Sequence, residues 1–124
     1  MPWKVLIVDD ALFMRNMLRE IFERQNDFEV VGDAEDGIEA VERYQELKPD
    51  LVTMDIVMPR RSGIEALQEI MTFDPSARVV MCSALGQESL IVEAVSAGAR
   101  DFIVKPFQES RVLEVARRVA ASDD

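Results

Sequence analysis

Four short runs in this chain are apolar at consecutive positions: Val5-Leu6-Ile7-Val8, Leu51-Val52-Thr53-Met54, Val79-Val80-Met81-Cys82 and Phe102-Ile103-Val104. Short unalternating runs rich in β-branched residues suit parallel strands whose two faces are both covered by helices. A fifth run, Phe28-Glu29-Val30-Val31, carries a charge and predicts an edge strand.

Helical spacing fills the intervals. Met14, Met17, Leu18, Ile21 and Phe22 recur at three- and four-residue steps, as do Gly37, Val41, Tyr44 and Leu47. Leu67, Ile70 and Met71 mark a third helix, opened by a capping box of Ser62 and Glu65. Ile91, Ala94 and Val95 mark a fourth, ended by Gly98 at the position after the cap. Val112, Val115, Ala116 and Val119 mark a fifth. Pro49 and Pro75 follow the second and third helices, where a helix must stop. Strand and helix thus alternate along the chain, which predicts an α/β fold with a doubly wound parallel sheet.

The 124 residues suit one domain, 1–124, with no linker or second module legible. Ala121 to Asp124 read as a frayed tail. No apolar run approaches the about 20 residues of a membrane span. Met1-Pro2-Trp3-Lys4 leads into the first strand without a signal-peptide pattern, which points to the cytoplasm. Fourteen basic and 24 acidic residues give a net charge of −10, disfavouring nucleic acid and anionic membrane as partners.

Histidine is absent and Cys82 is the single cysteine. Ser-His-Asp and Cys-His catalysis, histidine metal ligation and a thiolate zinc site are therefore excluded. Chemistry here must run on carboxylates, hydroxyls, lysines and backbone. Cys82 itself, the methionines Met14, Met17 and Met71, and the arginine pair Arg60-Arg61 read as an inert buried thiol, core filler and a solvated loop pair. Arg111, Arg117 and Arg118 suit charge at the end of the last helix.

An open parallel sheet binds ligands beyond the carboxyl ends of its strands. There the first strand ends in Asp9-Asp10, the third in Asp55, the fourth in Ser83 and the fifth in Lys105-Pro106, and the second ends near Asp33, toward the edge. Gathering three carboxylates is costly, since two unit charges about 4 Å apart repel by roughly 4 kcal/mol at an effective dielectric of about 20. Lys105 offsets part of this, and a divalent cation would offset more. Oxygen donors without nitrogen or sulfur favour Mg²⁺.

The ordered set Val5-Leu6-Ile7-Val8-Asp9-Asp10, Met54-Asp55-Ile56-Val57-Met58-Pro59 with Ser62-Gly63, Cys82-Ser83-Ala84, and Asp101-Phe102-Ile103-Val104-Lys105-Pro106-Phe107 resembles the receiver domain of bacterial two-component response regulators. Within that family it is most similar to the single-domain chemotaxis regulators, and the resemblance spans essentially the whole chain. It implies a flavodoxin-like (βα)5 fold with strand order 2-1-3-4-5. It implies a phosphorylation-operated signalling switch rather than an enzyme. Asp55 would be the phosphoryl acceptor, served by a sensor histidine kinase of the chemotaxis type. Asp9, Asp10, Asp55 and the Val57 backbone carbonyl would hold Mg²⁺. Lys105 would neutralise the transferring group, Ser83 would hydrogen-bond it once attached, and Lys105-Pro106 resembles the family's cis peptide.

In relatives an aromatic at the position of Phe102 turns inward when the serine or threonine moves toward the phosphoryl group. The resemblance therefore implies a Ser83-Phe102 switch read out on the face of the fourth helix, fifth strand and fifth helix. The implied reader is a flagellar motor switch protein or similar effector, and the chain a monomer. The resemblance also implies that Val57 and Leu85 would flank water's approach to the phosphorus. Both are apolar, which implies slow self-dephosphorylation and a greater need for a separate phosphatase.

Three other readings stay open at this level. An aspartyl phosphatase needs an acid two residues after its nucleophile, whereas Asp9 and Asp10 are followed by Ala11 and Leu12. A flavodoxin-like electron carrier needs a phosphate loop after the first strand, where Asp9-Asp10-Ala11 would repel phosphate. A receiver acting beside, or cut from, a larger regulator is the third.

Overall fold

The computed structural model describes residues 1–122. Strands and helices alternate as β1 (Trp3–Val8), α1 (Leu12–Glu23), β2 (Phe28–Ala34), α2 (Gly37–Leu47), β3 (Leu51–Asp55), α3 (Gly63–Phe73), β4 (Val79–Ser83), α4 (Glu88–Ser96), β5 (Asp101–Val104) and α5 (Glu109–Ala120). All strand pairs are parallel, in the order β2-β1-β3-β4-β5.

Period-two alternation along the strands feeds two cores. Val5, Ile7, Leu51, Val80 and Ile103 pack with Leu18, Ile21 and Phe22 of α1 and Val112, Val115 and Val119 of α5. Leu6, Val8, Val52, Met54, Val79 and Met81 point the other way, onto Tyr44, Ile64, Leu67, Ile70 and Ala94 of α2, α3 and α4. Burying one side chain of this kind is worth about 1.5–3 kcal/mol, and each core holds more than a dozen.

The helix ends obey local chemistry. Ser62 and Glu65 form a reciprocal capping box at α3. Gly98 adopts φ +117 after α4, and the Gly98 and Ala99 N–H groups return to the Val95 and Ala94 carbonyls in a Schellman closure.

The β2 strand ends at Ala34, next to the expected end near Asp33, and its register against β1 slips between Val5 and Leu6, leaving Val31 as the extra residue of a bulge. Three expectations need correction. The apolar β5, at the edge as the expected order has it, is not covered on both faces: Val104 is exposed and Phe102 only half-buried. Val95 lies outside the core despite its helical spacing. Ala121 and Ser122 are tied down, the Ala121 N–H to the Arg117 carbonyl and the Ser122 carbonyl to the Arg78 guanidinium; Asp123 and Asp124 lie outside the described residues.

Candidate functional site

Parallel strands deliver their last residues to one edge, and the register shows which meet. Val8 of β1 lies beside Met54 of β3, so Asp9 and Asp10 emerge next to Asp55. One carboxylate oxygen from each of Asp9, Asp10 and Asp55 falls within 4.8 Å of the others. Across β4, the Lys105 N–H donates to the Ser83 carbonyl at 2.7 Å, bringing the end of β5 to the same edge. The Lys105 Nζ then lies 3.0 Å from Asp9 Oδ2 and 3.4 Å from Asp55 Oδ1. The Lys105-Pro106 peptide bond is cis.

The three carboxylates are not equivalent. Asp9 is buried, its Oδ1 accepting the Ala11 N–H at 2.9 Å and its Oδ2 facing Lys105. Asp55 is also buried, whereas Asp10 is exposed. Burial, reinforced by the neighbouring Asp9 charge, pushes the Asp55 carboxyl up to about 6, against the pull of Lys105. Burial works against the charge on Lys105 as well, but Asp9 and Asp55 outweigh it and hold its pKa above the ordinary lysine value. One ammonium among three carboxylates leaves negative charge uncompensated. The all-oxygen donor set and the open Asp10 side fit a hard divalent cation such as Mg²⁺.

Ser83 ends β4 fully buried, and its Oγ has no hydrogen-bond partner among the described residues. A buried hydroxyl left unpaired costs about 1–3 kcal/mol, a debt that a phosphoryl oxygen could cancel. Ser83 and Phe102 line one groove of about 310 Å³ with Leu85, Ile91 and Val92. Phe102 leans on the α2–α4 core from its edge strand. The apolar side chains of Val57 and Leu85 are both exposed, at 54% and 84%.

Several supports were not visible in the sequence pattern. Arg15 donates to the Asp9 carbonyl at 2.7 Å and to the Asp33 carboxylate at 3.0 Å, pinning the turn after β1 to the end of β2. A Cβ at Gly63 would stand 1.9 Å from the Asp55 carbonyl oxygen, so only glycine lets α3 start this close to the acceptor. The pair Arg60-Arg61 stands in a loop with Arg60 exposed, as expected, and both are also tied: Arg60 binds the buried Asp36 carboxylate, and Arg61 pairs with Glu69 at 2.9 Å. Asp36 was readable as the cap of α2, since an acid standing three residues before Glu39 is a helix-start signal. Arg117 and Arg118 reach Asp27 and Asp101 rather than serving only the helix end. Cys82 is buried, and burial pushes its thiol far above the ordinary range. Met14, Met17 and Met71 are only partly buried.

Residues 5–117 match the response regulator receiver domain family. The chain is 58% identical over 117 residues to the chemotaxis protein CheY of Listeria monocytogenes, covering 94% of this chain and 98% of that protein. The response regulator domain of Thermotoga maritima CheB superposes with a TM-score of 0.92 at 44% identity, over the whole of both chains. The CheX–CheY–BeF3–Mg²⁺ complex of Borrelia burgdorferi matches with a TM-score of 0.92 and 43% identity, over 98% of this chain and 92% of that one. On this sheet order, this carboxylate cluster and these likenesses, the chain belongs to the response regulator receiver family, as a CheY-like domain of two-component chemotaxis signalling.

Proposed function

We propose that this chain is a phosphorylation-operated switch in which Asp55 accepts a phosphoryl group from the phosphohistidine of a chemotaxis-type sensor kinase. The observation that carries the reading is the convergence of Asp9, Asp10, Asp55 and Lys105 on one edge beside the unpartnered Ser83 hydroxyl. An Asp55 carboxylate oxygen attacks phosphorus, the bond from phosphorus to the donor imidazole breaks, and the imidazole keeps that electron pair. Asp9, Asp10, Asp55 and the Val57 carbonyl would hold Mg²⁺, which would supply positive charge against the phosphoryl oxygens. Lys105, 3.4 Å from Asp55, contributes another positive charge, which is the positioning and electrostatic help that phosphoryl transfer requires. The Borrelia burgdorferi relative, found with BeF3 and Mg²⁺, supports the assignment.

Attached phosphate adds about −1.5 to −2 of charge. Ser83 then turns its free hydroxyl to a phosphoryl oxygen, and Phe102 takes the space that this leaves in their shared groove. The change is read on the face of α4, β5 and α5, where Leu85, Val92, Val95 and Val104 are exposed. An effector such as a flagellar motor switch protein is the reader, in the cytoplasm, and a separate phosphatase resets the state. The domain assists its own phosphorylation without turning over a substrate.

Incubation with acetyl phosphate and Mg²⁺ separates this reading from its rivals. An acid-stable, base-labile acyl phosphate, formed once per chain, supports the switch. Continuous turnover of phosphomonoesters would point to a phosphatase instead, and a yellow purified protein to a flavin carrier.

A further inference from the structure

The segment between β3 and α3 carries Val57, whose carbonyl the proposed function assigns to the metal. Two ties close its base and its exit. The Gly63 N–H donates to the Ile56 carbonyl at 2.8 Å, and the Gly37 N–H at the start of α2 donates to the Arg61 carbonyl at 3.1 Å. A Cβ on Gly37 would come 2.5 Å from that same carbonyl oxygen, so the loop and α2 touch backbone to backbone. Between the ties stands Arg60, whose φ of +66 lies in the left-handed region that non-glycine residues avoid.

A buried carboxylate opposes that backbone cost. The Arg60 Nε donates to Asp36 Oδ2 at 2.9 Å, and its Nη2 reaches the same oxygen. The Asp36 Oδ1 accepts the Glu39 N–H at 2.9 Å as the cap of α2. The carboxylate is 3% exposed, so one buried acid fastens the loop to a helix start through both of its oxygens. This clasp serves neither core, and its two residues line the same open cavity as Asp10.

We infer that Arg60 and Asp36 are positioning residues: their clasp holds the β3–α3 loop in the conformation that presents the Val57 carbonyl to a divalent cation. The inference rests on the proposed metal reading. Rigid support of ligands from outside the coordination sphere is worth about tenfold or more in metal affinity. The charge of Arg60 acts in the opposite sense. Arg60 is a cation lining the cavity of Asp10, so by Coulomb's law alone its removal should tighten cation binding. As a clasp, its removal should loosen binding.

The test is calorimetric titration of the full chain with Mg²⁺, using Arg60→Gly, Asp36→Asn, their double variant and Arg60→Lys. Glycine accepts the left-handed backbone, and asparagine keeps an oxygen for the Glu39 N–H, so neither change removes the cap or strains the loop. The clasp predicts that each single variant weakens Mg²⁺ by about tenfold. The double variant should be no weaker than either single variant, and Arg60→Lys should recover most of the affinity. Tighter or unchanged binding by Arg60→Gly overturns the clasp, as does additive loss in the double variant. A wild type that takes up no Mg²⁺ contradicts the metal reading itself, and the clasp with it; wild-type binding with unaltered variants contradicts the clasp alone.

Discussion

The Lys105 Nζ lies 3.4 Å from the Asp55 carboxylate while also touching Asp9, so a single ammonium bridges the ends of β1 and β3 from the end of β5. The bridge balances part of the acidic cluster and aims a positive charge at whatever Asp55 carries. Lys105→Ala should leave the nucleophile in place and remove the aimed charge. Phosphorylation of the variant by acetyl phosphate should still occur, slowed by about tenfold or more, and phosphate-dependent effector binding should be lost. Stopped-flow rates and a pull-down with the phosphorylated protein measure the two effects.

Like charges at the cluster make the metal-free fold less stable than its packing allows. Asp55→Asn should raise the melting temperature in chelator, with a gain on the order of 1 kcal/mol. Mg²⁺ at 100 times its dissociation constant should stabilise the wild type by about 2.7 kcal/mol, because the unfolded chain lacks the site. Asp10→Asn should lose most of that gain. Thermal melts with and without Mg²⁺ report all three, and coincident wild-type curves would remove the metal assignment.

The Asp36–Arg60 pair sets a pH dependence of known sign. Burial opposes ionisation of Asp36, but the Glu39 N–H and the Arg60 guanidinium together outweigh it and hold the carboxyl below its usual 3.8. A depressed carboxyl stabilises the fold above its unfolded pKa and stops doing so as pH falls through its folded pKa. Asp36→Asn should therefore cost on the order of 1 kcal/mol near neutrality. The difference from wild type should shrink below pH 3.8 and vanish at lower pH. Denaturant midpoints measured between neutrality and strong acid follow the convergence.

The lifetime of the phosphorylated state should be long. Val57 and Leu85 are exposed and apolar, with no side-chain group to orient an attacking water. Val57→Asn combined with Leu85→Glu should shorten the lifetime several-fold, each orienting hydrogen bond contributing on the order of 1 kcal/mol. Loss of the adduct after removal of the donor is the readout, and an unchanged or longer lifetime in the double variant contradicts the argument.

Sheet and cluster were legible for a physical reason. Parallel strands place their final residues at one edge, so Asp9, Asp10, Asp55, Ser83 and Lys105 could be collected by position in their runs. Apolar content does not reveal how many faces of a strand are covered, which is why β5 read as covered on both faces although Val104 is exposed. The bulge at Val31 broke the apolar pattern of β2, whose end near Asp33 was still legible. Least visible were the polar ties. Arg60 meets Asp36 across 24 positions and Arg117 meets Asp27 across 90, and charged residues in loops and on helix faces carry no periodic mark of their partners.

The central claim is that Asp55 takes the phosphoryl group. Borohydride reduction of the phosphorylated chain converts an aspartyl phosphate to homoserine, and peptide mass spectrometry then locates the residue. Protein treated with acetyl phosphate and Mg²⁺ should carry homoserine at position 55 and nowhere else, with none in Asp55→Asn. Homoserine at position 9 or 10, or none at all in the folded wild type, would contradict the account.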